Sequence, residues 1–219
     1  MKKEYYRRHL PHYHPENAIF FITFRLSGSI PVKVLADFRR ETQQYERLIK
    51  AQVLSKSEVK KTISDHRLLR CFAFDDLLHF SINSPVWLQN PEVARLVSEA
   101  ICSRNDRIYH LFSYCIVPNH VHMVFTVGRV GNSTSARQVG NLPYNGKLTY
   151  IAKIMHSLKR YTAIEANKIL GRSGAFWQHE SYDHVIRSQD EFDRIVNYVR
   201  QNPVKEGLVK DWKDWEWLM

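Results

Sequence analysis

Cysteine is scarce and poorly placed for chemistry. Cys71, Cys102 and Cys115 are odd in number and widely separated, so they offer neither a thiolate metal spacing nor a disulfide framework, a pattern that suits a reducing cytoplasm. Long apolar runs are missing too. The N-terminal Met1-Lys2-Lys3-Glu4-Tyr5-Tyr6-Arg7-Arg8 is charged and has no apolar signal core, and no later run is long enough to cross a bilayer. A soluble cytoplasmic protein is expected, with no membrane partner. Acidic residues are in deficit, 22 against 32 Lys and Arg, which leaves a net charge of +10. That excess suits a polyanion, nucleic acid first; a merely solvated basic surface is the other reading. Neither an internal repeat nor a clean linker interrupts the chain. One α+β domain spanning 1–219, with an insertion, is therefore expected.

Aromatic residues accompany the positive charge: eleven Tyr, eleven Phe and five Trp. Interleaved with Lys and Arg they suit stacking on unpaired bases, although most will fill the core. Residues 1–17 carry Arg7, Arg8 and His14 among aromatics and two prolines, which predicts an extended basic arm able to lie along a phosphate backbone. Ala18 to Leu26 is a strong strand, and Val32 to about Gln52 turns helical. Residues 53–80 have mixed periodicity, with Ser57 positioned to cap a short helix. The stretch from about 35 to 80 is taken as a helical insertion. Asn90-Pro91-Glu92 starts a helix running to about Cys102. Tyr109 to Val117 and the strand after Pro118-Asn119 form a hairpin, and the Gly-, Ser- and Asn-rich 128–147 stretch is a long loop. Leu148 to Leu170 is an amphipathic helix with Ile151, Ile154, Met155, Leu158, Ile164 and Ile169 on its apolar side. Lys159 and Arg160 lie elsewhere on that helix, available to DNA. Ser188 to Glu191 is a capping box that opens the last long helix.

Within the hairpin stands Val117-Pro118-Asn119-His120-Val121-His122-Met123-Val124-Phe125. Side chains alternate along a strand, so His120 and His122 leave one face together and make half of a divalent metal site. The same pair also suits a hydrogen-bonded structural role. On the last helix Phe192, Ile195, Val196 and Val199 form a buried stripe, and Tyr198 and Asn202, four residues apart, share a face at its margin. They could face the histidines; alternatively Tyr198 packs half-buried and Asn202 ends the helix before Pro203.

The ordered set His120-Val121-His122, Phe176-Trp177-Gln178, Tyr182-Asp183-His184-Val185-Ile186-Arg187 and Tyr198 followed by Asn202-Pro203-Val204-Lys205 and Gly207-Leu208-Val209 resembles the REP-associated tyrosine transposases, in the single-tyrosine HUH superfamily. The resemblance implies a ferredoxin-like α+β fold with a central antiparallel sheet and flanking helices. It also implies that Tyr198 is the nucleophile, preferred to its rival Tyr182. His120 and His122 would hold Mg2+ or Mn2+, with Asn202 as third ligand. The implied activity is cleavage and rejoining of single-stranded DNA at hairpins through a 5′-phosphotyrosine, by a monomer or homodimer. Arg187, in the family motif, joins Arg7, Arg8, His14, Lys159 and Arg160 as a candidate DNA contact. Two rivals stand beside this: a DNA- or RNA-binding protein of the same fold without useful cleavage, and a metal-dependent hydrolase. The hydrolase lacks an acidic cluster in sequence around the histidines.

Overall fold

Three largely apolar strands, buried on both faces, join a fourth in the main antiparallel sheet of the computed structural model. It describes residues 5–7, 11–13, 15, 17–52, 55–79, 81, 83–127 and 149–219; the expected 128–147 loop, Arg8 and His14 lie outside them. The chain packs as two compact units, one of residues 1–27 with 86–219 and one of residues 28–85.

The first unit carries two sheets. A small hairpin pairs β1 (Tyr5–Arg7) with β2 (Pro11–Tyr13), so part of the arm expected to be merely extended is strand-paired. The main sheet contains β3 (Ile19–Arg25), β4 (His110–Val117), β5 (His120–Thr126) and β6 (Tyr182–Ile186) in the order β4-β5-β3-β6, all antiparallel. With helix α3 (Pro91–Cys102) before β4 and helix α4 (Tyr150–Ile169) before β6, this is the ferredoxin-like order. Phe20, Ile22 and Phe24 of β3 and Val121, Met123 and Phe125 of β5 bury against Val93, Val97 and Ile101 of α3 and Ile151, Ile154 and Leu158 of α4. Each fully buried side chain of this kind stabilises by about 1.5–3 kcal/mol. Asn90 caps α3 as its sequence requires, accepting from the Glu92 and Val93 amides, with Pro91 at the first helical position.

Two expectations and one alternative reading are corrected here. Ile164 and Ile169 are 47% and 38% exposed, so the apolar side of α4 narrows in its last turns. Lys159 is buried, its ammonium donating to the Gln178 and His179 carbonyls and to Ser181 Oγ. A buried ammonium must satisfy its donors internally, and these bonds fasten the strap between α4 and β6. Finally, Pro203 lies inside helix α5 (Gln189–Lys205) instead of ending it. Near a helix C-terminus the missing amide forfeits one hydrogen bond while the fixed φ still suits the helix.

Helix α5 covers the second face of the sheet, burying Ile195, Val196 and Val199 and setting Phe192 edge-on to Phe112 at 5.1 Å. Its N-terminus shows a modified capping box. Ser188 Oγ accepts from the Glu191 amide, but the Glu191 carboxylate accepts from the Arg187 amide, one residue outside the usual partner, and meets His184 Nε2 at 2.8 Å. At the other end Gly207, at φ +69°, closes a Schellman motif: its amide donates to the Val204 carbonyl and that of Leu208 to Pro203. The tryptophan-rich tail then runs along the β4 edge, the Ile116 amide donating to Trp217 and the Met219 amide to Tyr114.

The second unit is an antiparallel pair of helices, α1 (Val32–Ala51) and α2 (Lys56–His79). The short helix expected after Ser57 is instead 24 residues long, opened by a reciprocal box between Ser55 and Glu58. Leu69 stands 65% exposed beside buried Leu68, which blurs the helical period in the sequence. Arg70 ties the two helices, donating to Thr42 Oγ1 and the Phe38 carbonyl while its guanidinium lies 3.5 Å from the Phe38 ring centroid.

Candidate active site

Strand register decides which side chains meet on the face covered by α5. Tyr182 lies opposite Thr23, Thr23 opposite His122, and His122 opposite Cys115; one step along, His120 sits between Arg25 and Val117. Directly opposed residues share a face, so both histidines emerge beneath α5, as their period-2 spacing requires. Both are fully buried.

Each imidazole is held by its Nδ1. His120 Nδ1 lies 2.6 Å from Asn119 Oδ1, and His122 Nδ1 lies 2.8 Å from Thr23 Oγ1. Asn119 Oδ1 is an acceptor, so the neutral His120 ring carries its proton on Nδ1 and presents a lone pair at Nε2. The two Nε2 atoms converge to 3.0 Å. Two neighbouring ligands of an octahedral cation with bonds of about 2.1 Å stand about 3.0 Å apart. Outer hydrogen bonds that fix ring orientation are what a histidine-ligated metal requires. The pair therefore fits a divalent cation.

Tyr198 comes from α5. Its ring meets that of His122 edge-on with centroids 5.9 Å apart and that of Phe21 at 6.4 Å. Tyr198 is half-buried. At about 100° per residue, Asn202 is rotated roughly 40° toward the buried stripe and Lys205 roughly 20° away from it. Burial follows that order: Asn202 is fully buried, Tyr198 intermediate and Lys205 exposed. Lys205 Nζ lies 3.3 Å from the Tyr198 hydroxyl.

Other tyrosines are placed differently. Tyr182 is on the same face but two strands from His122, with Thr23 between them. Tyr109 donates its hydroxyl to the Ile101 carbonyl, and burial pushes its phenol well up. Burial also raises the Tyr114 phenol, to about 12, partly offset by its hydrogen bond with Ser98.

Arg160 and Arg187 are exposed, Arg187 donating to the Val185 carbonyl, while Arg7 falls in β1. Trp177 serves packing: its indole N–H donates to Thr162 Oγ1 and its ring stands edge-on to Phe24 at 4.8 Å. Thr23, Asn119 and Lys205 were not assigned roles in the sequence. Asn119 was signalled by adjacency to His120, and Lys205 by its seven-residue spacing from Tyr198. Nothing local marked Thr23, which reaches His122 only through strand pairing.

No family model matches the chain. It is similar to a candidate REP-associated tyrosine transposase of Haemophilus influenzae, 23% identical over 107 residues, covering 49% of this chain and 56% of that protein. A REP-associated tyrosine transposase of Escherichia coli is 24% identical over 112 residues, 51% of this chain and 54% of that one. The matched stretches span little more than half the length of either curated relative. Among solved structures, a REP-associated tyrosine transposase bound to a REP hairpin aligns over 97% of this chain and 80% of that one, at 16% identity and a TM-score of 0.47. The names of the two curated relatives match the family that the motifs resemble.

Proposed function

We propose that this protein is a metal-dependent DNA transposase that cleaves and rejoins single-stranded DNA at hairpin-forming, REP-like sequences through a 5′-phosphotyrosine intermediate. Tyr198 is the nucleophile, and His120, His122 and Asn202 hold Mg2+ or Mn2+. The observation that carries this reading is the Tyr198 ring seated 5.9 Å from the ring of His122, whose Nε2 converges on that of His120.

The Tyr198 hydroxyl oxygen bonds to the scissile phosphorus as the bond from phosphorus to the 3′ oxygen breaks. The phenol proton leaves to solvent and the departing 3′ oxygen takes one up. One phosphoester replaces another, so the freed 3′-hydroxyl can reverse the step without an energy source. A bound cation supplies charge neutralisation and orientation of the phosphate. Asn119 and Thr23 keep the imidazoles aimed, and packing of α5 on the sheet keeps the phenol beside them. Arg7, Arg8, His14, Arg160 and Arg187 contact the DNA backbone, while unpaired bases stack on aromatic side chains. Lys159 supports the strap.

Labelled single-stranded hairpin DNA incubated with the protein and Mg2+ or Mn2+ tests the reading. A denaturation-resistant protein–DNA adduct is expected with the wild type, and none with Tyr198→Phe or after chelation. Cleavage that persists in Tyr198→Phe without an adduct would point to a hydrolase. Salt-sensitive binding with no cleavage would leave a binding protein of the same fold.

A further inference from the structure

We propose that Lys205 is a catalytic residue, its ammonium binding the scissile phosphate beside the Tyr198 hydroxyl. This rests on the strand-transfer reading above and extends it to Lys205, which lies in the Asn202-Pro203-Val204-Lys205 motif but was given no role there.

Placement is the first support. Tyr198 and Lys205 are seven residues apart on α5, two helical turns, so they stack on one side of the helix. Lys205 Nζ lies 3.3 Å from the tyrosine oxygen but 5.3 Å from the ring centroid. The ammonium is therefore at the hydroxyl end of the ring, where a nucleophile must meet phosphorus, and not over the ring face.

Reach is the second. A phosphorus atom poised for attack stands about 3–3.5 Å from the nucleophile. With Nζ 3.3 Å from the same oxygen, a phosphate that approaches on the Lys205 side brings its non-bridging oxygens within reach of the ammonium. An ammonium is a donor-only group, and phosphate oxygens are acceptors of matching charge. Lys205 is exposed, so an incoming DNA strand can meet it. Negative charge on those oxygens is what a fixed cation stabilises as the displacement proceeds.

Rigidity is the third. Lys205 is the last residue of α5, immediately before Glu206 and Gly207, where the Schellman hydrogen bonds fix the backbone. A bland role exists for a lysine at a helix C-terminus, favourable interaction with the helix dipole. That role affects stability and leaves the chemical step alone.

The test measures single-turnover adduct formation at saturating hairpin DNA, with DNA affinity measured separately. Lys205→Met is compared with Lys205→Arg and with Lys210→Met, which removes the same charge at an exposed position outside the site. Lys205→Met is expected to slow adduct formation about 100-fold at saturating DNA. Lys205→Arg should recover most of the rate, and Lys210→Met should match the wild type. Sulfur in place of a non-bridging oxygen at the scissile phosphate should slow the wild type more than Lys205→Met. A wild-type rate in Lys205→Met, or a loss confined to DNA affinity and shared with Lys210→Met, overturns the role of Lys205 while leaving Tyr198 in place. Absence of any adduct with the wild type overturns the strand-transfer reading and this inference with it.

Discussion

Thr23 Oγ1 and His122 Nδ1 lie 2.8 Å apart although 99 residues separate them in the chain. The hydroxyl can donate to or accept from the imidazole, so it accommodates whichever tautomer a metal requires. Thr23→Val keeps the branched shape and loses the hydrogen bond. Mn2+ affinity measured by calorimetry should fall 10–100-fold, with Thr23→Ser near the wild type. Unchanged affinity in Thr23→Val would remove Thr23 from the site.

Glu191 joins β6 to α5 through His184 and the Arg187 amide. Burial tends to raise its carboxyl pKa, but the His184 hydrogen bond and the Arg187 amide outweigh that and leave it below the ordinary value of 4.5. A depressed carboxyl stabilises the fold above the unfolded-state value and loses that contribution as pH falls through the folded one. Glu191→Gln should cost about 2 kcal/mol at pH 7. In denaturant titrations from pH 7 to 3, the gap to wild type should narrow below about pH 4.5. A constant gap would show that the carboxylate charge contributes nothing.

Lys159 and Arg160 are adjacent in sequence and opposite in burial, Lys159 buried and Arg160 exposed. Lys159→Met strands two carbonyls and a hydroxyl, and thermal unfolding should register a loss of about 2–3 kcal/mol. Arg160→Ala should leave stability unchanged and lower the salt dependence of DNA binding by about one phosphate contact. Reversed outcomes would make Lys159 the DNA contact.

Gly207 holds φ +69° at the end of α5 with open space around its α-carbon. Gly207→Ala is therefore penalised by backbone conformation alone, about 1–2 kcal/mol, visible as a lowered melting temperature. An unchanged melting temperature would show that this turn relaxes without cost.

Much of the fold was determined by sequence alone, because strands and helices are written in local periods. His120 and His122 had to share a face once that run was a strand, and Asn90-Pro91 and Ser188-Glu191 had to open helices. The i, i+4 relation of Tyr198 and Asn202 is likewise a property of one helix. Residues 56–79 resisted reading because apolar side chains such as Leu69 also occupy the outer surface of α2.

Tertiary structure decided which of these local facts met. Whether the histidine face lay under α5 or against α3 and α4 depended on pairing between β3, β5 and β6, contacts between distant residues that no local period encodes. The same pairing delivers Thr23 to His122, and strap packing turns Lys159 from a surface cation into a buried support. Sequence thus determined the two halves, a pair of imidazoles and a phenol. Burial of apolar stripes on both faces of one sheet set the Tyr198 and His122 ring centroids 5.9 Å apart.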